Sequence, residues 1–324
     1  AIRYVLSWEQ ATGRKHDALK IKAMKKSLMF PVDFTGLSFG DNDGWHPTCF
    51  YFMLADRLNT QHAAFRAATY LPEKIDPKAK RREQYANNGD LLYAADVIPT
   101  PQQMKEFEAA HRDDQEPVAR IYEGMEWAVL ADEEAFPSLR MSIRGGSAKV
   151  EGHGMLDLLS FHCRVNNDLM ITDQGESQYL VPTFGRRGTD LYTRGPASKS
   201  TLFVEGLGCA VDAACDRTEV VKADGMVGIR LDATNIYLPK MPARFIGRLF
   251  LLVDRAYWLV IDHVLGKDEV SELAAESRFH SFAKYRLGKS HVSLTSGRSK
   301  MQMTFAALQP GVLQESRGMP ATAD

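Results

Sequence analysis

The hydrophobic pattern of this chain changes from a helical period to a strand period after about 135 residues. Before that point apolar residues recur every three or four positions, as in Tyr4, Val5 and Trp8. Beyond it, short runs rich in β-branched and aromatic residues alternate with clusters of Gly, Asn and Asp, which is typical of antiparallel strands. Helices followed by strands indicate segregated layers. We therefore predict an α+β fold, with residues 1–135 helical and residues 136–324 an antiparallel β-sandwich.

The first part of the chain contains four predicted helical stretches. They cover residues 1–30, 47–70, 83–95 and 101–112, and Pro31 is expected to end the first.

The second part contains short runs that we predict to be strands. A hairpin is expected to turn at Asp254-Arg255-Ala256, between two long apolar runs. The predicted strands are residues 139–143, 168–172, 201–205, 218–222, 227–231, 245–253, 257–264 and 291–295.

Charge and cysteine usage narrow the class of protein. Among 324 residues, 40 Lys and Arg nearly balance 41 Asp and Glu, so the net charge of −1 provides no bulk attraction to nucleic acid or to acidic membranes. No apolar run reaches the roughly 20 residues of a membrane span. The four cysteines form no Cys-x-x-Cys pair, so a zinc ribbon or redox motif is unsupported. Buried thiols and a Cys209–Cys215 bridge both remain open.

Three motifs follow one another in the predicted strand region. The first runs from Gly152 to Phe161 and places His153 between two glycines, four residues before Asp157. The second is Asp173-Gln174-Gly175 with a tyrosine at 179, and the third is Ser198-Lys199-Ser200-Thr201-Leu202. Glycines beside His153 allow a bulky ligand to approach the backbone.

This ordered set resembles the heparinase II/III-like polysaccharide lyases. The family pattern reads His-x-His-x-Asp-x-x-Ser-Phe, then Asp-x-Gly-x-x-x-Tyr, then His-Asn-Thr-Leu, and Phe39-Gly40-Asp41 also matches a family segment. The resemblance implies the last helices of an (α/α) toroid followed by stacked antiparallel sheets, with most of the toroid outside this sequence. It further implies β-elimination on an anionic, uronate-containing polysaccharide or oligosaccharide, in a periplasmic or secreted protein.

The resemblance also implies a set of site residues. His153 corresponds to a catalytic-cleft histidine, and Tyr179 is a candidate acid or substrate contact. Arginines between loop glycines suit bidentate binding of carboxylate or sulfate. The candidate substrate-binding residues are Arg186, Arg187, Tyr192 and Arg194.

Two positions depart from the family pattern. Some members bind a structural zinc through two histidines and an aspartate, and Met155 and Lys199 stand where those histidines would be. A thioether and an ammonium are poor Zn²⁺ ligands, so we expect no metal and no cofactor. Lys199 is instead expected to form a salt bridge with Asp173. His280 resembles a late histidine of these lyases, although packing is its simpler use.

Two other classes of function remain open. A non-catalytic glycan-binding or structural sandwich is compatible with the missing zinc ligands. A glycoside hydrolase using Asp41 or Asp43 is another alternative, although two carboxylates so close in a Gly-flanked loop are common in turns. The sequence leaves open which uronate glycan is cleaved, whether cleavage is endo or exo, and the oligomeric state.

Overall fold

The chain is divided into two compact units, which are described separately. The helical unit comprises Ala1–Gly36, Gly44–Gln115 and Glu134–Phe136, and the β unit comprises Leu37–Asp43, Glu116–Glu133 and Pro137–Asp324. The computed structural model describes residues 2–37, 39–40, 47–70, 96–111, 116–149, 154–175, 180–185, 188–237, 241–270, 272–308 and 311–314.

The helical unit is a set of short helices around a small apolar core. Val32, Phe52, Ala55, Ala63 and Ala67 are almost completely buried in this core. None of the helices in the described residues is long and apolar enough to cross a membrane. The described α-helices are α1 (Ile2–Thr12), α2 (Lys22–Ser27), α3 (Met29–Phe34), α4 (Cys49–Arg57), α5 (Gln61–Ala68) and α6 (Pro101–Ala110).

The first two predicted helices are each broken into shorter ones. Gly13 has a φ of 67°, in the left-handed region, and helix resumes only beyond it. The prediction that Pro31 ends a helix is wrong, because Pro31 lies in the first turn of α3. The N–H groups of a first turn have no partner within the helix, so the missing N–H of proline breaks no hydrogen bond there. Asn59, with a φ of 51°, separates α4 from α5. The helix predicted near residues 83–95 lies outside the described residues.

The helix predicted over residues 101–112 is confirmed as α6. Thr100 accepts a hydrogen bond from the backbone N–H of Gln103 at 3.3 Å, and the Gln103 side chain accepts one from the Thr100 N–H at 2.8 Å. This reciprocal cap satisfies two N–H groups at the start of the helix, and Pro101 suits its first position.

The β unit contains four antiparallel sheets. The five-stranded sheet has the order β1-β2-β3-β4-β5, and the four-stranded sheet has the order β10-β9-β8-β7. The strands of these two sheets are β1 (Val118–Tyr122), β2 (Trp127–Ala131), β3 (Leu139–Arg144), β4 (Phe161–Val165), β5 (Asp168–Ile171), β7 (Arg217–Ala223), β8 (Met226–Asp232), β9 (Ala243–Val253) and β10 (Tyr257–Gly266). The two smaller sheets pair β6 (Leu202–Val204) with β11 (Ala275–Ser277), and β12 (Lys284–Leu287) with β13 (His291–Ser296) and β14 (Ser299–Thr304).

One apolar core lies between the two large sheets. Leu130 and Ile143 enter it from the five-stranded sheet, and Ile229, Ile246 and Phe250 enter it from the four-stranded sheet. Sheets packed face to face bury one face of each strand, which produces the period-two pattern seen in the sequence. The antiparallel β part of the predicted fold is therefore confirmed.

The sheet begins earlier than the sequence pattern indicated. β1 and β2 precede residue 136, and β4 was also not predicted. β1 is half-buried along its whole length, so it shows no alternation, and the five apolar residues of β2 have no diagnostic period. The hairpin at Asp254-Arg255-Ala256 is confirmed, since Val253 pairs with Tyr257 across it.

Candidate functional site

The described part of the first motif, residues 154–161, contains a tight turn that is held by two buried arginines. Asp157 is 2% exposed and accepts a hydrogen bond from Nε of Arg144 at 3.0 Å and from the Gly40 N–H at 3.2 Å. Leu159 has a φ of 63°, a strained value for a bulky residue. Its carbonyl accepts a hydrogen bond from Nη1 of Arg248 at 2.9 Å. Asp157 thus has a structural partner. The hydrogen bonds from Arg144, Gly40 and Arg248 hold the turn in its strained conformation.

Asp173, in the second motif, lies at a junction of all three motifs. Oδ1 accepts hydrogen bonds from the Ser160 hydroxyl and from the Ser200 N–H, each at 2.6 Å. Oδ2 lies 3.4 Å from Nε2 of His162 on β4. Burial by itself would raise the pKa of Asp173, but His162, Lys199 and the Ser160 hydrogen bond lower it below its usual value.

The predicted salt bridge between Lys199 and Asp173 is wrong. Asp173 makes its ion contact with His162, and Nζ of Lys199 turns to neutral acceptors. It donates to the carbonyl of Thr193 at 2.7 Å, to that of Gln174 at 3.2 Å and to Sδ of Met155 at 3.0 Å. Lys199 is completely buried. Its charge still acts on Asp173 through space, as the lowered pKa of that carboxyl indicates.

The residues at this junction do not fit a zinc ion. Met155 and Lys199 do lie together, as their match to two family ligands implies, but an ammonium repels a metal cation. Among the described residues, no group of three His, Cys, Asp or Glu side chains is arranged to hold a metal.

Arg194 is buried, and its guanidinium is used to hold backbone. Nη1 donates to the carbonyl of Thr183, and Nη2 donates to the carbonyl of Gly154 at 2.7 Å. A Cβ at Gly188 would collide with that Thr183 carbonyl and lie 3.0 Å from Nη1, so only glycine fits there. In return, the Leu156 N–H donates to the Arg194 carbonyl at 2.9 Å. In the structure Arg194 joins the segments of Thr183 and Gly154, and its contact with substrate stays a prediction.

Four of the six predicted site residues, His153, Tyr179, Arg186 and Arg187, lie outside the described residues, as do Asp41 and Asp43. Tyr192 is half-buried, and burial raises its pKa although the charge of Arg278 opposes the shift.

The described neighbours of the predicted site residues are brought together by two buried cations. Arg194 joins Gly154, which follows His153, to the segment ending at Gly188, which follows Arg187. Lys199 joins the first motif to Gln174 of the second and to Thr193. The sequence pattern did not identify these positioning roles, because a buried cation in a loop has no periodic signature.

His280 lies beside the same junction, and the Nε2 atom of its ring is buried. The backbone N–H of His280 donates to the Ser200 hydroxyl at 3.0 Å, and among the described residues the ring Nε2 has no hydrogen-bond partner. Burial lowers the pKa of His280 from its usual 6.5, although the Asp173 charge opposes the shift. A histidine buried without a partner for a second proton favours the neutral ring.

We expect His280 to make the protein less stable as the pH falls below about 6.5. Its folded pKa lies below its unfolded pKa, so between the two values the unfolded chain binds more protons. The stabilisation is therefore complete above the unfolded pKa and is lost as the pH falls toward the folded one. His280→Gln should reduce the difference between unfolding midpoints measured at about pH 5.5 and pH 7.5. An unchanged difference in the variant would contradict this assignment.

Comparison with known proteins identifies the family. The family model for heparinase II/III-like C-terminal domains matches residues 123–319. The chain belongs to this heparinase II/III-like family. All six predicted site residues fall within the matched part.

Solved heparinases are similar to this chain in outline. Heparan sulfate lyase HepC from Pedobacter heparinus is 14% identical, with 85% of this chain and 46% of that chain covered and a TM-score of 0.44. A heparinase III is 12% identical, with 84% of this chain and 44% of that chain covered and a TM-score of 0.47. The present chain thus spans less than half the length of either. No curated protein matches it.

Proposed function

We propose that this protein is a polysaccharide lyase that cleaves a uronic-acid-containing anionic glycan by β-elimination. The observation that carries the proposal is the meeting of the three motif segments around Arg194 and Lys199 in a heparinase II/III-like domain. A reaction that needs several groups at once requires the segments that carry them to be held in register.

The reaction assigns different tasks to the predicted residues. A base removes the C5 proton of the uronate, the C4–O4 bond breaks as a C4=C5 double bond forms, and an acid protonates the departing O4. We assign removal of the C5 proton to His153 and protonation of O4 to Tyr179. The pKa values of histidine and tyrosine can be tuned toward the working pH.

Binding of the anionic chain is assigned to the loop between Gly185 and Gly188. The Gly188 N–H donates to the Gly185 carbonyl at 3.0 Å, so the two glycines that flank Arg186 and Arg187 in the sequence are hydrogen-bonded to each other. Guanidinium groups in a loop between two glycines suit bidentate contacts with carboxylate or sulfate. We propose that Tyr192 adds a contact and that Arg194 supports binding by holding the loop.

Ultraviolet absorbance tests the proposed reaction, because elimination leaves an unsaturated uronate on the product. The protein is incubated with heparan sulfate, chondroitin sulfate, hyaluronan and alginate, and both absorbance and new reducing ends are followed. A lyase produces the two signals together. Reducing ends without absorbance would indicate a hydrolase, and binding with neither signal would indicate a glycan-binding module.

We expect Arg187→Ala to raise KM by about 10–100-fold, since a hydrogen-bonded charge contact contributes about 1.5–3 kcal/mol. The salt dependence of KM should also weaken, because one screened contact is lost. Steady-state rates at low and high salt measure both effects. Arg298→Ala removes the same charge from the exposed turn between β13 and β14 and should leave KM unchanged. Equal KM values for the two variants would remove the loop from the binding site.

The architecture and location are proposed on the same basis. We propose that the helical unit is the end of an (α/α) toroid, followed by a sandwich that begins with β1. The protein is proposed to act outside the cytoplasm, where polymeric glycans are met, and to need neither a nucleic acid nor a membrane partner.

A further inference from the structure

Three separate segments of the β unit converge on one buried ammonium group. Met155 belongs to the segment that carries His153, Gln174 to the segment that carries Tyr179, and Thr193 stands between Tyr192 and Arg194. Nζ of Lys199 lies within 2.7–3.2 Å of an acceptor in each of them. The segments that carry His153, Tyr179 and Tyr192 are therefore all in contact with this one cation.

Lys199 is buried and surrounded by hydrogen-bond acceptors, unlike an ordinary surface lysine. The side chain has no exposed area at all, and a buried charge is stable only when it is paired or fully hydrogen-bonded. An ammonium has three N–H donors, and the described residues include three acceptors in contact with it. The carboxylate of Asp173 lies close enough for the positive charge to act on it. Carbonyl oxygens around a positive charge, with a carboxylate nearby, are the surroundings of a bound cation. Here the cation is the ammonium group of Lys199, which is part of the chain.

We propose that Lys199 is a built-in cation that replaces a metal ion as the cross-link between the three segments of the candidate site. The donor set explains why: Met155 and Lys199 occupy positions that resemble two zinc-binding histidines, and the ammonium contacts the thioether directly at 3.0 Å. Assembly of this site consequently needs no metal, and the site should be insensitive to chelators. The inference concerns how the site is assembled and does not depend on which reaction takes place there.

Removing the charge tests whether the ammonium is a cross-link. Lys199→Met keeps a long side chain but deletes the three donors, and three carbonyl or thioether acceptors lose their partner. We expect the unfolding midpoint to fall by about 10 °C, the shift that follows from breaking a buried charged network in a unit of this size. Lys222→Met, on the exposed face of β7, is the matched control and should leave the midpoint unchanged. A Lys199→Met protein as stable as the wild type would overturn the proposal, because packing alone would then explain the residue.

Converting the site back to metal ligands provides an independent test. The double variant Met155→His/Lys199→His restores both histidines of the family pattern, with Asp173 as the third ligand, and should bind stoichiometric zinc. We expect zinc to raise the unfolding midpoint of the double variant and a chelator to lower it, while neither changes the wild-type midpoint. Zinc should not rescue Lys199→Met, which has no new ligand.

Metal analysis and unfolding midpoints are the only readouts required, so the result stands apart from any lyase assay. Stoichiometric zinc in the purified wild type, with a midpoint that falls in chelator, would overturn the proposal. A folded double variant that takes up no zinc would also overturn it, because the ammonium would then not stand at a metal position.

Discussion

His153→Ala is expected to lower kcat for glycan cleavage by about 10²–10⁴, the usual contribution of a positioned general acid or base. The fold should survive the change. The neighbouring Gly154 is held through its backbone carbonyl by Arg194, a contact that does not involve the side chain at position 153. KM should change less than kcat, since proton transfer is needed in the transition state and not for binding. Initial rates of ultraviolet absorbance increase on the preferred glycan measure the effect.

A control histidine separates chemistry from stability in this experiment. His263→Ala removes an exposed imidazole from β10 that packs on Phe245, at a ring distance of 5.2 Å. It should keep the wild-type kcat. Unfolding midpoints of both variants show whether any loss of rate comes from unfolding. Full activity in a folded His153→Ala protein would remove this residue from the mechanism.

Arg248→Met is expected to reduce the free energy of unfolding of the β unit by about 3–5 kcal/mol, because it leaves a largely buried carboxylate without its partner. Nε and Nη2 of Arg248 donate to the two oxygens of Asp262 at 2.6 and 2.9 Å. Nη1 donates to the carbonyls of Leu159 and Ser200, at 2.9 and 3.1 Å. The substitution therefore breaks an ion pair and releases two motif segments at once. Chemical denaturation followed by tryptophan fluorescence measures the change.

The same sheet offers a matched arginine on its outward face. Arg230 on β8 also makes two hydrogen bonds to an aspartate, Asp232, at 2.8 and 3.0 Å, but its side chain is 40% exposed. Water screens this pair, so Arg230→Met should cost less than about 1 kcal/mol. Equal losses of stability in the two variants would show that burial does not determine the contribution of these ion pairs.

Much of the β unit was predictable because its signals are local. Strands such as β8 and β9 alternate apolar residues toward one core, and the turn at Asp254 and Arg255 adopts positive φ values of 47° and 57° between two apolar runs. The start of α6 was predictable for the same reason, since Thr100 and Gln103 satisfy each other's backbone within one turn.

The early strands show where local signals end. β1 and β2 are recognisable as strands only through their pairing with each other and with β3, and neither alternates between exposed and buried positions. A half-buried strand and a short apolar run are equally compatible with helix until a partner strand is known. The predicted start of the sandwich at residue 136 was late for this reason.

The sequence by itself determined the family and the helix-to-strand order, because each depends on residue types and their spacing. Only the tertiary structure decided which charges meet. The expected partner of Asp173 was Lys199, but His162 makes that contact and Lys199 binds carbonyls from two other segments. Burial makes every unpaired charge costly, so a buried charged group needs hydrogen-bond partners within about 3 Å. The folded chain determines which groups lie at that distance, and the spacing of residues in the sequence does not.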